Sequence, residues 1–267
     1  MLRSIALKSL RDVRRSFLWW SLGLAGFVAL IMAVYPTVKS NPSLNELAED
    51  YPEALKAFIG LGGQVDYSSP AGYLGIELFS LMVPLLLLVA AIGTGAGSIA
   101  GEEERGTLEL LLANPVSRTR VVLEKSAALA LEVAGLGVVL WLALWIGALT
   151  VGMDISAGKL AGATVGAVLL AVAYGAIALL LGAATGRRAV AIGLTAAVGV
   201  AAYLVNGLAP LVDGLEVPQK LSPFYHYASG DPLRQGVSVA HLAVLIGIAV
   251  AATALAPVLF SRRDVST

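Results

Sequence analysis

Few side chains in this 267-residue sequence can do chemistry, and their spacing argues against catalysis. There is no cysteine, so no thiolate nucleophile or thiolate metal site is available. The two histidines, His226 and His241, are not part of a His-Glu-x-x-His metal motif. A phosphate-cradling Gly-x-x-x-x-Gly-Lys-[Ser/Thr] loop is also missing; Gly158-Lys159 is followed by Leu160 and lacks the earlier glycine at the required spacing. Gly93, Gly95 and Gly97 do not complete a dinucleotide fingerprint and sit in an apolar stretch, where they read as packing glycines. The Glu-Glu-x-x-x-Arg pattern of membrane-embedded endopeptidases fails, because Thr107 and Leu108 stand where arginine is needed. Nothing here is an enzyme by itself, and no cofactor or metal site is expected in this chain.

What remains are carboxylates in unusual places. Glu77 and Glu132 interrupt long apolar runs, and an ionisable group there is a functional candidate by default. Two readings apply to each: a side chain reaching the nearer membrane interface, or a group on a substrate pathway. A third acidic feature, Glu102-Glu103-Glu104-Arg105, lies between two apolar runs.

The elements that hold these groups are set by composition. Hydrophobic residues make up 58% of the chain and charged residues 13%, with a mean hydropathy of +0.83. Soluble domains carry roughly 25% charged residues. A helix needs about 20 mostly apolar residues to cross a bilayer, and six stretches qualify: 17–35, 73–99, 126–151, 160–185, 189–209 and 239–260. The expected fold is therefore an all-α membrane protein with six transmembrane helices, forming one domain over 1–267. The formal charge is zero, which gives no basic field for nucleic acid. The lipid bilayer is the first partner. The first apolar run does not read as a cleaved signal, because no small-x-small site precedes Pro36.

Orientation follows from lysine and arginine placement. Arg3, Lys8, Arg11, Arg14, Arg15, Arg105, Arg118, Arg120, Lys125, Arg187, Arg188, Arg262 and Arg263 fall on one side. Only Lys39, Lys56, Lys159, Lys220 and Arg234 fall on the other. Both termini are expected in the cytoplasm of a cell whose plasma or inner membrane holds the chain.

The connecting segments have their own patterns. Residues 1–16 form an amphipathic stretch, read as an interfacial helix in the headgroup plane or as a topogenic leader. In the outer loop 36–71, Ser43 and Glu46 suggest a capping box with Leu44 and Leu47 buried. Pro52, Leu55, Phe58 and Ile59 suggest a second short helix, stopped by Gly60, Gly62 and Gly63. A structural cap and a substrate contact are both open for that loop. Residues 211–238 hold Pro218, Pro223 and Pro232 with Phe224, Tyr225 and Tyr227 among them. Aromatic anchoring and a re-entrant hairpin with Phe224 and Tyr225 at a gate both fit.

In the cytoplasmic stretch 101–118, Thr107 is a plausible N-cap and Glu109 sits where a helix dipole favours negative charge. Leu108, Leu111 and Leu112 share a face. Asn114-Pro115 ends this helix and Ser117 caps the next. A short helix with a leucine face beside a membrane needs a soluble partner over those leucines, or must lie on lipid. Gly158-x-x-x-Gly162-x-x-x-Gly166 and Gly97-x-x-x-Gly101 are expected to permit close helix packing.

These residues resemble the permease subunits of ABC-2 type exporters. The likeness is carried by Ser69-Pro-Ala-Gly-Tyr-Leu-Gly-Ile-Glu-Leu-Phe79, by Gly101-Glu-Glu-Glu-Arg-Gly-Thr-Leu-Glu-Leu-Leu112 with Pro115-Val-Ser-Arg118, and by Leu221-Ser-Pro-Phe-Tyr225 with Asp231-Pro232. The resemblance implies that Glu102, Glu103, Glu104, Arg105, Thr107, Leu108, Glu109, Leu111 and Leu112 form a coupling helix region. It would dock into a separate ATPase subunit, which holds ATP and Mg. The resemblance also implies a second permease subunit, identical or related, and leaves the substrate open. A secondary transporter or channel not driven by ATP is the alternative; the span centres are read as holding no ionisable groups, and no clear internal repeat is evident.

Overall fold

The computed structural model of the chain describes residues 4–41, 51–52, 56, 67–229 and 231–263. The two short helices expected around Ser43–Glu46 and Pro52–Ile59 lie almost wholly outside the described residues. Among the described residues there is no strand, and six helices are long and apolar enough to cross a membrane. The all-α, six-span expectation holds.

Helix α1 runs unbroken from Ile5–Lys39, about 52 Å at 1.5 Å per residue. The stretch expected to be interfacial, from Ile5 to Ser16, and the first span thus lie on one helix. No glycine or proline separates Arg15 from Trp20, so nothing in the backbone favours a bend there.

The second span is composite. Helix α2 (Pro70–Leu74) passes through a π-helical turn, Gly75–Phe79, and the helix then breaks at Leu81 before resuming as α3 (Met82–Ser98). Two short helices follow, α4 (Ala100–Glu104) and α5 (Thr107–Leu112). The long α6 (Arg118–Thr150), α7 (Ala157–Thr185) and α8 (Arg188–Leu208) come next. A short turn, α9 (Glu216–Leu221), α10 (Pro223–Ala228) and the last span α11 (Val239–Ser261) complete the chain.

Helix α7 is the hub of the bundle, packed against α3, α6, α8 and α11, while α1 lies along α6. Small residues explain why α7 can touch so many neighbours. At its crossing with α3 the backbones meet: a Cβ on Gly95 would run into the Gly175 carbonyl, and one on Gly175 would stand 3.1 Å from the Ala91 carbonyl oxygen. Gly182 faces Ala96 and Ala100 in the same way.

The glycines expected to serve this purpose are placed differently. Gly162 accommodates Val237 of the segment before α11 and Gly166 accommodates Tyr227 of α10, Gly97 and Gly101 sit near Arg188, and a Cβ on Gly158 would meet nothing within 4 Å. Without a hydrophobic driving force between helices in lipid, close backbone contact supplies much of the association. Gly95→Leu is therefore expected to lower the melting temperature of the purified chain, at a cost of about 1–3 kcal/mol. Gly93→Ala, where the new atom meets nothing within 4 Å, should leave the melt unchanged.

Candidate functional site

The acidic stretch between the second and third spans folds into an elbow. Gly106 stands between α4 and α5 with φ +68°, a left-handed conformation that glycine adopts without steric cost. The chain reverses there, and Thr107 Oγ1 donates to the Glu102 carbonyl at 3.1 Å. Thr107 is thus the first helical residue and Gly106 the cap position, which corrects the expected cap. The other end matches expectation: Asn114 Nδ2 donates to the Leu110 carbonyl at 3.0 Å, and Ser117 Oγ accepts from the Arg120 N–H at 3.2 Å.

Each glutamate of the triplet reaches a different helix. Glu102 is buried, with Lys125 Nζ of α6 2.8 Å away and Lys8 Nζ of α1 3.4 Å away. Lys125 is only 2% exposed. Glu103 forms an ion pair with Arg263, just beyond α11. Glu104 Oε1 accepts from the Arg188 N–H at 2.8 Å, one of the donors that the start of α8 leaves without an intrahelical partner. The triplet therefore fastens α1, α6, α8 and the end of α11 to one point.

Neighbouring contacts close this knot. Arg118 Nη1 donates to the carbonyls of Phe260 and Arg263 at 2.5 and 2.7 Å, placing a cation at the carbonyl end of α11 as the helix dipole favours. Glu124 caps α1: its Oε2 accepts from the N–H groups of Ile5 and Ala6 at 2.5 and 3.0 Å and from Ser4 Oγ at 3.2 Å. Its Oε1 accepts from Arg120 Nε at 2.8 Å. Glu124→Ala is expected to destabilise the start of α1 by about 1 kcal/mol, read as faster hydrogen exchange at Ile5 and Ala6 with exchange in α7 unchanged.

The leucine face is covered from within. Leu108 and Leu111 are buried, in one cluster with Ile5, Ile99, Val121, Val122, Leu179, Ala183, Ala256 and Phe260, and Leu112 packs at its margin. The expectation that these leucines await a soluble partner is corrected: they anchor the elbow to the bundle. What the elbow turns outward is Glu104, Arg105, Gly106, Glu109 and Leu110. Leu110 is 72% exposed.

Beside the elbow lies a cavity of about 750 Å³ between α1, α3 and α6. Lys8, Glu102, Arg105, Lys125 and Arg188 line it toward the elbow, and Glu132 with Trp20 lines it farther along. Glu132 is 4% exposed and accepts from Thr94 Oγ1 at 3.4 Å. Glu77 does not join it; it lies half-buried in the π-helical turn of the second span.

Phe224 and Tyr225 part company as well. Phe224 is buried between Tyr174 and Tyr203, with ring centroids 5.9 and 5.3 Å away. Tyr225 meets His226 and His241 edge-on. His226 Nε2 lies 2.9 Å from the Lys220 carbonyl, to which it must donate, which leaves the His226 Nδ1 to face His241 Nδ1 at 3.0 Å. Tyr227 donates to the Phe79 carbonyl at 2.6 Å, joining α10 to the second span.

The residues that sequence reasoning missed are Lys8, Lys125, Arg263 and Glu124. Three are cations that served only to orient the chain, and a glutamate four residues from Arg120 reads as a surface pair.

Among curated proteins none matches the chain. The family model described as ABC-2 family transporter protein matches residues 3–265, and the chain belongs to that family.

Proposed function

We propose that this membrane permease works as half of an ATP-driven exporter, with the termini and the elbow on the cytoplasmic side of the plasma or inner membrane. ATP and Mg are held by a separate ATPase subunit, which docks on the outward rim of the elbow at Glu104, Arg105, Glu109 and Leu110. A second permease subunit completes the pathway. Glu102, Glu103 and Glu104 carry the ATPase motion to the spans, and the buried Leu108, Leu111 and Leu112, with Thr107, keep the elbow rigid enough to do so.

The observation that supports this most is the pairing of an uncovered rim with an interior fastened to four helices. A rigid element so tied can convert a domain movement into a rearrangement of helices. Phe224 and Tyr225 shape the opposite gate.

Co-expression with its cognate ATP-binding-cassette ATPase, followed by affinity capture through the permease, tests the reading. The ATPase should be retained and show vanadate-sensitive turnover, while the permease alone shows none. Turnover by the permease alone, or failure to retain any ATPase, would overturn it.

A further inference from the structure

The far end of the cavity beside the elbow is a binding site of a definite chemical kind: the geometry points to an organic monocation held by Glu132 and Trp20. The inference rests on the permease reading and names the class of substrate.

Glu132 is almost fully buried, and its Oε2 has no hydrogen-bond partner. No ion pair among the described residues includes it. A carboxylate left in this state is costly and is rarely retained in a span without a role. Lys125, on the same helix and lining the same cavity, does not neutralise it. Two turns of helix, about 10 Å, separate the pair, and Lys125 is already engaged by Glu102 at 2.8 Å.

The walls around Glu132 select the cation. Thr94 and Ser98 offer hydroxyls, and Val89 and Leu129 offer carbon; the four basic side chains that share the cavity, Lys8, Arg105, Lys125 and Arg188, form no ion pair with Glu132 among the described residues. Calcium and magnesium ions take six or more oxygen ligands, zinc takes about four, and no group of three or more acidic or histidine side chains among the described residues could hold a metal ion. Trp20 lines the same cavity, and an indole ring attracts alkylated or aromatic cations. A volume near 750 Å³ falls in the range that encloses drug-sized molecules, about 300–1,000 Å³.

The test is equilibrium binding of tetraphenylphosphonium to the purified full chain in detergent, with empty micelles as the blank. Tetraphenylborate, of nearly the same shape and opposite charge, is titrated in a separate sample, because the two ions pair with each other when mixed. Saturable binding of tetraphenylphosphonium, and none of tetraphenylborate above the micelle blank, is expected. Glu132→Gln, which keeps the shape, should weaken binding at least about tenfold, as expected for losing a charged partner. Trp20→Leu should weaken it about two- to fivefold.

Equal binding by wild type and Glu132→Gln, or equal saturable binding of the anion in its own titration, would overturn the proposal. Should Glu132→Gln not fold, the wild-type anion comparison and Trp20→Leu still decide. No ATPase is present in this assay, so its failure leaves capture of the ATPase intact as the separate test of the permease reading. Cation binding without ATPase capture would instead mark a cation-binding membrane protein driven by something other than ATP.

Discussion

Replacing Glu102 by alanine is expected to destabilise the chain by about 3–5 kcal/mol, because it strands a buried lysine. Lys125 is 2% exposed and has Glu102 at 2.8 Å. With the carboxylate gone, Lys8, whose Nζ lies 3.4 Å from Glu102, would repel it. The double variant Glu102→Leu with Lys125→Met removes both charges and should recover most of the lost stability, since replacing a buried pair by apolar groups is often neutral.

Thermal unfolding in detergent measures both effects, with Glu109→Ala on the exposed rim as a control. A single variant that melts with that control would contradict the assignment. Transport separates structure from coupling: the double variant should fold yet transport poorly, because α1 and α6 are no longer tied to the elbow.

The second large effect distinguishes two neighbouring leucines. Leu111 is 3% exposed against a cluster that includes Val121, Leu179 and Phe260. Leu111→Asp places an unpaired charge there, at a cost of several kcal/mol. It should therefore melt early whether or not an ATPase is present. Leu110 is 72% exposed, so Leu110→Asp should change stability by no more than about 0.5 kcal/mol. Its expected defect is loss of ATPase capture at normal abundance. The periodic pattern alone places docking on Leu111 and gives Leu110 no role.

That difference shows what a sequence can and cannot convey about this chain. Six spans were legible because crossing a bilayer imposes length and polarity on each segment separately. The end of the elbow was legible because Asn114, Pro115 and Ser117 act locally. A helical period identifies which leucines share a face, but it does not identify the surface that covers them. Here much of the cover comes from Ile5, Leu179 and Phe260, remote in sequence.

The glycines teach the same lesson. Gly158, Gly162 and Gly166 have the familiar spacing, yet the closest backbone approach falls at Gly95 and Gly175, where the crossing of α3 and α7 is fixed by both partners. Lys125 and Arg263 looked like topological charges, because their partners Glu102 and Glu103 lie on another element. Glu132 was visible as an ionisable residue in a span, but its choice between interface and cavity depended on α1 and α3.

The rim of the elbow can be probed directly, because the chain contains no cysteine and Leu110→Cys would carry its sole thiol. Labelling by a membrane-impermeant maleimide would be compared in inside-out vesicles with and without the bound ATPase. Docking on the rim predicts ready labelling from the cytoplasmic face when the ATPase is absent and loss of most of that labelling when it is bound. Equal labelling in both states, or labelling only from the opposite face, would contradict it.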